Sequence, residues 1–400
     1  MRKSTKTWLI IAAALILLGG ILFVSVMTTL KWDFTKISTE KYRTEQHELT
    51  DAFHSISVNT DTADITLLPA EDGVARVVCF ENEKLPHEVS VVDGVLTVNC
   101  VDNRHHWYDY ITIFDFYTAN ITVYLPESAY AALMMKGSTG DVEIARGLRF
   151  ESIAVEASTG DITCYASASG SIRLSASTGN VTLQGVSAGA ASLSVTTGEI
   201  KANDLTVSGE MTLTVETGEA KLSNVTCLSL TSNGDTGDLT LDGMLVDKAL
   251  WIKRSTGDIH MKDVNAGALA LSTSTGDVIV SGATCVGDAT VGVTTGKVYL
   301  THVVCENVTT SGDTGNILLK DVIATQKLSI ERSTGKVKLE SVDAAEILIK
   351  TDTGDVTGSL LSEKVFIVNT DTGKIEVPNT VTGGRCEITT DTGDIEITIN

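Results

Sequence analysis

A Thr-Gly dipeptide recurs in register fourteen times between residues 139 and 393, with its glycines always 19 or 20 residues apart; two more Thr-Gly pairs, at 357–358 and 382–383, fall off this period. They are Gly140, Gly160, Gly179, Gly198, Gly218, Gly237, Gly257, Gly276, Gly296, Gly315, Gly335, Gly354, Gly373 and Gly393. A short period held this long means that each repeat buries its apolar face only against its neighbours, which is the signature of a solenoid. The same regularity disciplines any reading of function. A residue present in every repeat is there first for the repeat.

Around each glycine two short alternating runs meet at a turn. In residues 269–280, apolar side chains fall at Leu269 and Leu271, then at Val278 and Val280. The same offsets hold Leu250, Ile252, Ile259 and Met261 one repeat earlier, and Leu328, Ile330, Val337 and Leu339 further on. Alternation with period two, rich in Val, Ile and Thr, predicts half-buried strands, and the spacing of three and four that a helix needs is absent. Glycine suits the reversal because it takes positive φ at no steric cost. A looser corner is expected at Val-Asn-Ala-Gly (264–267), Val-Ser-Ala-Gly (186–189) and Val-Asp-Ala-Ala (342–345). The expectation is an all-β, parallel β-solenoid (β-helix) of fourteen regular coils over 131–400, with at least two strands per coil. At about 4.8 Å per layer it would be a rod about 65 Å long.

Few aromatics and four prolines suit a core of thin aliphatic layers. The aromatics cluster ahead of the repeats instead, at Trp107, Tyr108, Tyr110, Phe114, Phe116, Tyr117, Tyr124 and Tyr130. Faint echoes of the coil occur at 60–67 and 118–123, with Ala63 and Ala119 at the glycine position. Residues 51–130 therefore read as degenerate first coils plus an aromatic-rich cap, because a solenoid needs its open end covered; an interaction surface is the other reading of the aromatics. At the far end Ile395–Asn400 reads as a strand with nothing to cap it. That predicts an edge open to end-to-end self-association unless its acidic residues blunt it.

Residues 8–30 contain no charge and, as a helix, span about 35 Å, enough to cross a bilayer. Arg2, Lys3 and Lys6 precede them, so the positive-inside rule places residues 1–7 in the cytoplasm. A transmembrane anchor is expected over a cleaved signal peptide, with 31–50 as a juxtamembrane linker and everything beyond outside the cytoplasm, at a bacterial cell membrane. Residues 1–36 carry five Lys or Arg against Asp33, so the rest holds −25 (−21 minus +4). So acidic an exterior argues against nucleic acid and is compatible with cations, basic peptides, glycans, cell-wall polymers or protein ligands.

Catalytic motifs are scarce. Asp-Thr-Gly occurs at 235, 313, 352, 371 and 391, but aspartic-protease chemistry needs two such carboxylates sharing a proton, and here the triplet is one variant of a repeated turn. The seven histidines form no recurrent cluster, and the seven cysteines form no Cys-x-x-Cys. Cys227, Cys285 and Cys305 each lie nine residues after a repeat glycine, at an inward position. Cys285 and Cys305 fall in adjacent coils at disulfide distance, as buried thiols or as a bridge. The residue after each glycine is the most suggestive column. From Glu199 through Glu219, Asp238 and Asp258 to Asp277 five carboxylates stack with no cation among them, each neighbour repelling the next by about 1 kcal/mol in water. They read as solvated turn acids or as a row of weak sites for a divalent cation, with Ca²⁺ favoured by the oxygen-only donors. No other cofactor is expected. Beyond Asp277, Lys297, Lys336 and Lys374 alternate with Asp or Asn. A threonine column fourteen deep also raises ice binding, but the threonines sit at a turn rather than in Thr-x-Thr pairs on a flat face.

The Ser-Thr-Gly-Asp-(Val/Ile) repeats at 138–142, 158–162, 255–259 and 274–278, with the N-terminal helix and irregular lead-in, resemble a bacterial family of β-strand-repeat proteins of unknown function, generally labelled candidate adhesins. The resemblance covers about residues 50–400 and implies a non-enzymatic adhesin or envelope scaffold, with no catalytic residues to carry over. An envelope-stress or regulatory role through a membrane partner is the alternative. A carbohydrate-active β-helix enzyme ranks lower, because the spacing leaves no room within 140–393 for catalytic loops; only 80–130 has room for a pocket.

Overall fold

The structure, a computed structural model, describes residues 3–33, 40–110 and 117–400. Arg2, Lys36, Phe114 and Phe116 lie outside the described residues, as do the side chains of Lys3, Tyr108 and Tyr110. An N-terminal helix, α1 (Lys3–Thr29), carries an apolar stretch over Lys6–Thr29, long enough to cross a membrane, and among the described residues its side chains are exposed apart from Met27 near its end.

The repeats form a parallel β-solenoid, as the period predicts. One coil shows the plan. Val278–Ser281 pairs in register with Val298–Thr301, and after a corner at Gly282 (φ +80°) Ala283 and Thr284 pair with Val303 and Val304. A second bend leads into Ala289–Thr295, which pairs with the segment before Thr314. The coil therefore has three sides. The corner between the first two sides holds a left-handed residue in coil after coil: Asp204, Asn224, Gly243, Asp263, Gly282, His302, Asp321 and Ser341, all with φ between +52° and +80°. It lies just ahead of the expected loose corner. That second bend absorbs the difference between 19 and 20 residues, since the ladder shifts register there between Val207 and Glu210, Cys227 and Leu230, and Val246 and Ala249. All three sides feed one aliphatic core; Val278, Val280, Ala283, Ala289, Val291 and Val293 are buried. Burying each such valine is worth about 1.5–3 kcal/mol.

The first layers depart from chain order. Strands β1 (Tyr42–Glu48), β2 (Ser55–Thr62), β3 (Asp64–Pro69), β4 (Arg76–Asn82), β5 (His87–Val92), β6 (Val95–Cys100) and β7 (Asn120–Leu125) precede β8 (Ala129–Thr139). β2 lies between β6 and β8, and β3 between β7 and the following coil. The layer of β6 and β7 is thus outside the layer of β2 and β3. Antiparallel strands close it: β4 pairs β7, β1 pairs β4, and β5 pairs β6. β1 begins within the segment read as a linker. Aromatic rings fill this end, with Tyr42 stacked on Phe80 at 5.2 Å and Tyr130 between Phe53 and Phe150 at 5.9 and 5.7 Å.

The other end corrects the expectation of an uncapped final strand. Ile347–Thr353 pairs not with the next coil in sequence but with the segment ending at Thr392, and Val356–Leu360 pairs with Ile395–Ile399. Lys364–Thr372 then pairs on the outside of Gly384–Thr392. Ile395 and Glu396 have a strand on either side, Ile397–Ile399 pair with a strand on one side only, and 364–377 form the rest of the outer edge. Sequence periodicity is blind to this exchange because every coil offers its neighbour the same Thr-Gly register.

Candidate functional site

The turn column is built from one repeated set of bonds. Every repeat glycine but Gly373, in the outermost layer, donates its N–H to a threonine carbonyl of the neighbouring layer, as Gly218 does to Thr236 at 2.9 Å. The residue after the glycine takes its acceptor from a side chain instead. Its N–H meets the carboxylate or amide oxygen at the same position one layer away: Asp161 to Asp141 (2.8 Å), Glu199 to Asn180 (2.9 Å), Asp258 to Asp238 (2.8 Å), Asp277 to Asp258 (2.7 Å) and Lys297 to Asp277 (2.8 Å). Buried or turn N–H groups need such partners, and the short Asp and Asn side chains reach this one. A lysine in the column donates its N–H, as Lys336 does to Asn316 at 3.0 Å, but offers no acceptor onward.

The five acids of the candidate cation row are therefore placed in two ways. Oδ1 of Asp238, Asp258 and Asp277 is engaged with the backbone. Glu199 and Glu219 meet lysines two residues along the strand: Lys201 lies 2.7 Å and Lys221 3.1 Å from Glu199, and Lys221 lies 2.5 Å from Glu219. Burial alone would raise the Glu199 pKa, but these ammonium groups outweigh it and hold the carboxyl below its usual range. The compensating cations were legible at Lys201 and Lys221, on the same strand face as the acids.

All seven cysteines are free thiols, and Cys227, Cys285 and Cys305 are buried. The Cys305 thiol in the adjacent coil, together with burial, pushes the Cys285 thiol up. A depression of about 610 Å³ lies over Tyr130 and Phe150, rimmed by His54, Arg149, Glu151 and Ser169. It meets the 80–130 segment only at Ala129 and Tyr130 and otherwise runs across the first coils as far as Ser187.

Two features escaped the sequence reading. Arg254 and Arg332 are 2 % and 1 % exposed in the aliphatic core. Each occupies space vacated by glycine in the preceding coil: a Cβ on Gly234 would lie 1.5 Å from Nη1 of Arg254, and one on Gly312 2.6 Å from Nη1 of Arg332. Arg254 donates to Ser232 (3.1 Å) and Arg332 to the Val293 carbonyl (2.9 Å). The signal was present as Gly-Asp-Thr-Gly (234–237, 312–315) followed one coil later by Arg-Ser-Thr-Gly.

The second feature is a polar cluster buried in the cap. Cys79 and Glu81 alternate on β4 and are wholly buried, and a short turn brings His87 of β5 against them. Glu81 Oε2 accepts from the His87 backbone N–H (2.6 Å) and faces His87 Nδ1 (3.0 Å), while His87 Nε2 lies 3.0 Å from the Thr60 hydroxyl. Arg43, half-exposed at the rim, donates to Glu81 Oε1 from Nε and Nη2, both at 3.3 Å. Burial first, and then the Glu81 and Glu45 carboxylates, push the Cys79 thiol up to about 12. Hydroxyl, imidazole and carboxylate stand in the order of a nucleophile relay, but Thr60 is 4 % exposed and no substrate can reach it as placed.

In-register Thr-Gly coils closed by antiparallel strands and preceded by an apolar helix define the class as an all-β parallel solenoid. The chain belongs to the family described as Toastrack DUF4097, whose model matches residues 53–214, 198–303 and 290–400. Among solved structures it is similar to a candidate adhesin from Bacteroides fragilis, at 18 % identity over 61 % of this chain and 94 % of that one, with a TM-score of 0.37. A candidate cell adhesion protein from Clostridium sporogenes is 9 % identical over 56 % of this chain and 99 % of that one, with a TM-score of 0.28. A candidate adhesin from Parabacteroides distasonis is 13 % identical over 90 % and 98 %, with a TM-score of 0.22. No curated protein matches the chain.

Proposed function

We propose that this protein is a non-enzymatic, membrane-anchored solenoid that works outside the cytoplasm as an adhesin or cell-envelope scaffold. The observation that carries the reading is the pairing of an uncovered apolar helix with an unbroken stack of coils. The helix supplies a membrane anchor, with its basic N-terminal residues on the cytoplasmic side. The stack supplies a stiff, elongated surface of the kind repeat proteins use for extended ligands. Its acidic exterior favours glycans, wall polymers and basic protein segments over nucleic acid. The carboxylate row from Glu199 to Asp277 enters as the cation-dependent part of the same proposal.

The test uses the full chain in detergent, presented to purified cell wall, a glycan array and matrix proteins with and without Ca²⁺. Saturable binding to one class supports the adhesin or scaffold role, and loss of that binding in chelator assigns the row a part in it. Absence of binding in every arm would overturn the reading in favour of a membrane-partner role. Protease shielding in sealed vesicles checks the topology: the solenoid should be cut from the outer face only.

A further inference from the structure

We propose that Cys79, Glu81 and His87 form a binding site for a single Zn²⁺-like ion in the N-terminal cap. One donor atom from each residue lies within 4.8 Å of the other two, and all three residues are buried. A tetrahedral ion with bonds of about 2.0–2.3 Å needs its donors about 3.3–3.8 Å apart, so closure is a matter of small side-chain shifts. Sulfur, imidazole and carboxylate together select a borderline-soft transition ion and disfavour Ca²⁺ or Mg²⁺.

The surroundings are those of a held ligand set. His87 faces Glu81 through Nδ1 (3.0 Å) and Thr60 through Nε2 (3.0 Å). With Nδ1 on the metal, the ring proton sits on Nε2 and donates to Thr60 Oγ1, the outer hydrogen bond that fixes tautomer and ring plane at metal sites. Arg43 does the same for Glu81, binding the oxygen that faces away from His87. Binding replaces the Nδ1–Oε2 contact with two bonds to the ion and releases the Cys79 thiol proton to solvent. Thiolate and carboxylate then balance the ion's two charges, a fourth position is left for water, and the half-exposed Arg43 marks the way in. The ion would tie β2, β4 and β5 together at the layer that closes the stack.

Co²⁺ is the probe. Added to the chelator-treated, reduced full chain, it should give a near-ultraviolet sulfur-to-metal absorption that one equivalent of Zn²⁺ removes. Cys79→Ala should abolish the absorption, His87→Gln should weaken Zn²⁺ binding at least tenfold, and Thr60→Val should weaken it about tenfold. Should a variant not fold, the native chain gives a second reading: Zn²⁺ should slow alkylation of Cys79 and leave that of Cys386 unchanged. Absence of the absorption in the native chain, its persistence in Cys79→Ala, or equal alkylation with and without Zn²⁺ would each overturn the site and leave a hydrogen-bonded plug.

Discussion

At the residue scale, the repeat glycine answers two demands at once. Gly218 has φ +130°, and a Cβ there would lie 1.9 Å from the Gly198 carbonyl oxygen of the layer below. Gly218→Ala should therefore cost at least about 2 kcal/mol, through strain and a broken ladder. Gly292→Ala is the control, because a Cβ there meets nothing nearer than 3.8 Å, and its melting temperature should barely move. The aspartate column is tested in the same way. Asp258→Ala strands the Asp277 N–H and should cost about 1 kcal/mol, whereas Asp258→Asn keeps an acceptor and most of the stability. These positions are legible in sequence because geometry admits few residue types there. The left-handed corner six residues after each glycine from Gly179 to Gly335 was equally legible, as the Asp, Asn and Gly run through 204, 224, 243 and 263, but the apolar alternation beside it is the stronger pattern. Buried Arg254 was hidden because its explanation, Gly234, sits one coil away.

At the element scale, the outermost strand, Lys364–Thr372, is fastened by one buried ion pair. Lys364 is 3 % exposed and its ammonium lies 2.7 Å from Asp343 Oδ1, with Ser362 donating to the same oxygen at 2.8 Å. Burial alone would raise the Asp343 pKa; Lys364, Ser362 and the Ala344 N–H outweigh it and hold the carboxyl below its ordinary value. A depressed carboxyl contributes stability that is complete above the unfolded value, about 3.9, and lost as pH falls through the folded one. Amides of 364–377 should accordingly lose exchange protection in acid, below about pH 4, before the central coils do, after correction for intrinsic rates. Asp343→Ala leaves an uncompensated buried ammonium and should destabilise this layer by about 3 kcal/mol, while Lys364→Met, which removes the charge and keeps the volume, should cost far less.

At the scale of the whole molecule, the central coils follow the repeat and the ends depart from it. Each end places one coil out of chain order, so the outermost layers are 95–100 with 120–125 at one end and 364–377 at the other. A signal of this was present: all four prolines, at 69, 86, 126 and 378, lie in or beside the end layers, where a missing N–H interrupts no central ladder. The N-terminal outer layer is covered by β4 and β1, but among the described residues no strand covers Lys364–Thr372. Val365, Ile367 and Ile375 are 38 %, 50 % and 44 % exposed there, beside a row of backbone groups free to pair. Such an edge templates another strand, and the same edge on a second copy meets it antiparallel about a two-fold axis. The full chain in detergent should thus show concentration-dependent dimers by analytical ultracentrifugation. Ile367→Lys should make it monomeric by placing like charges near each other across that axis, and the melting temperature should be nearly unchanged because Ile367 is half-exposed. A chain that stays monomeric at high concentration, or a dimer indifferent to Ile367→Lys, would show that this end does not self-associate.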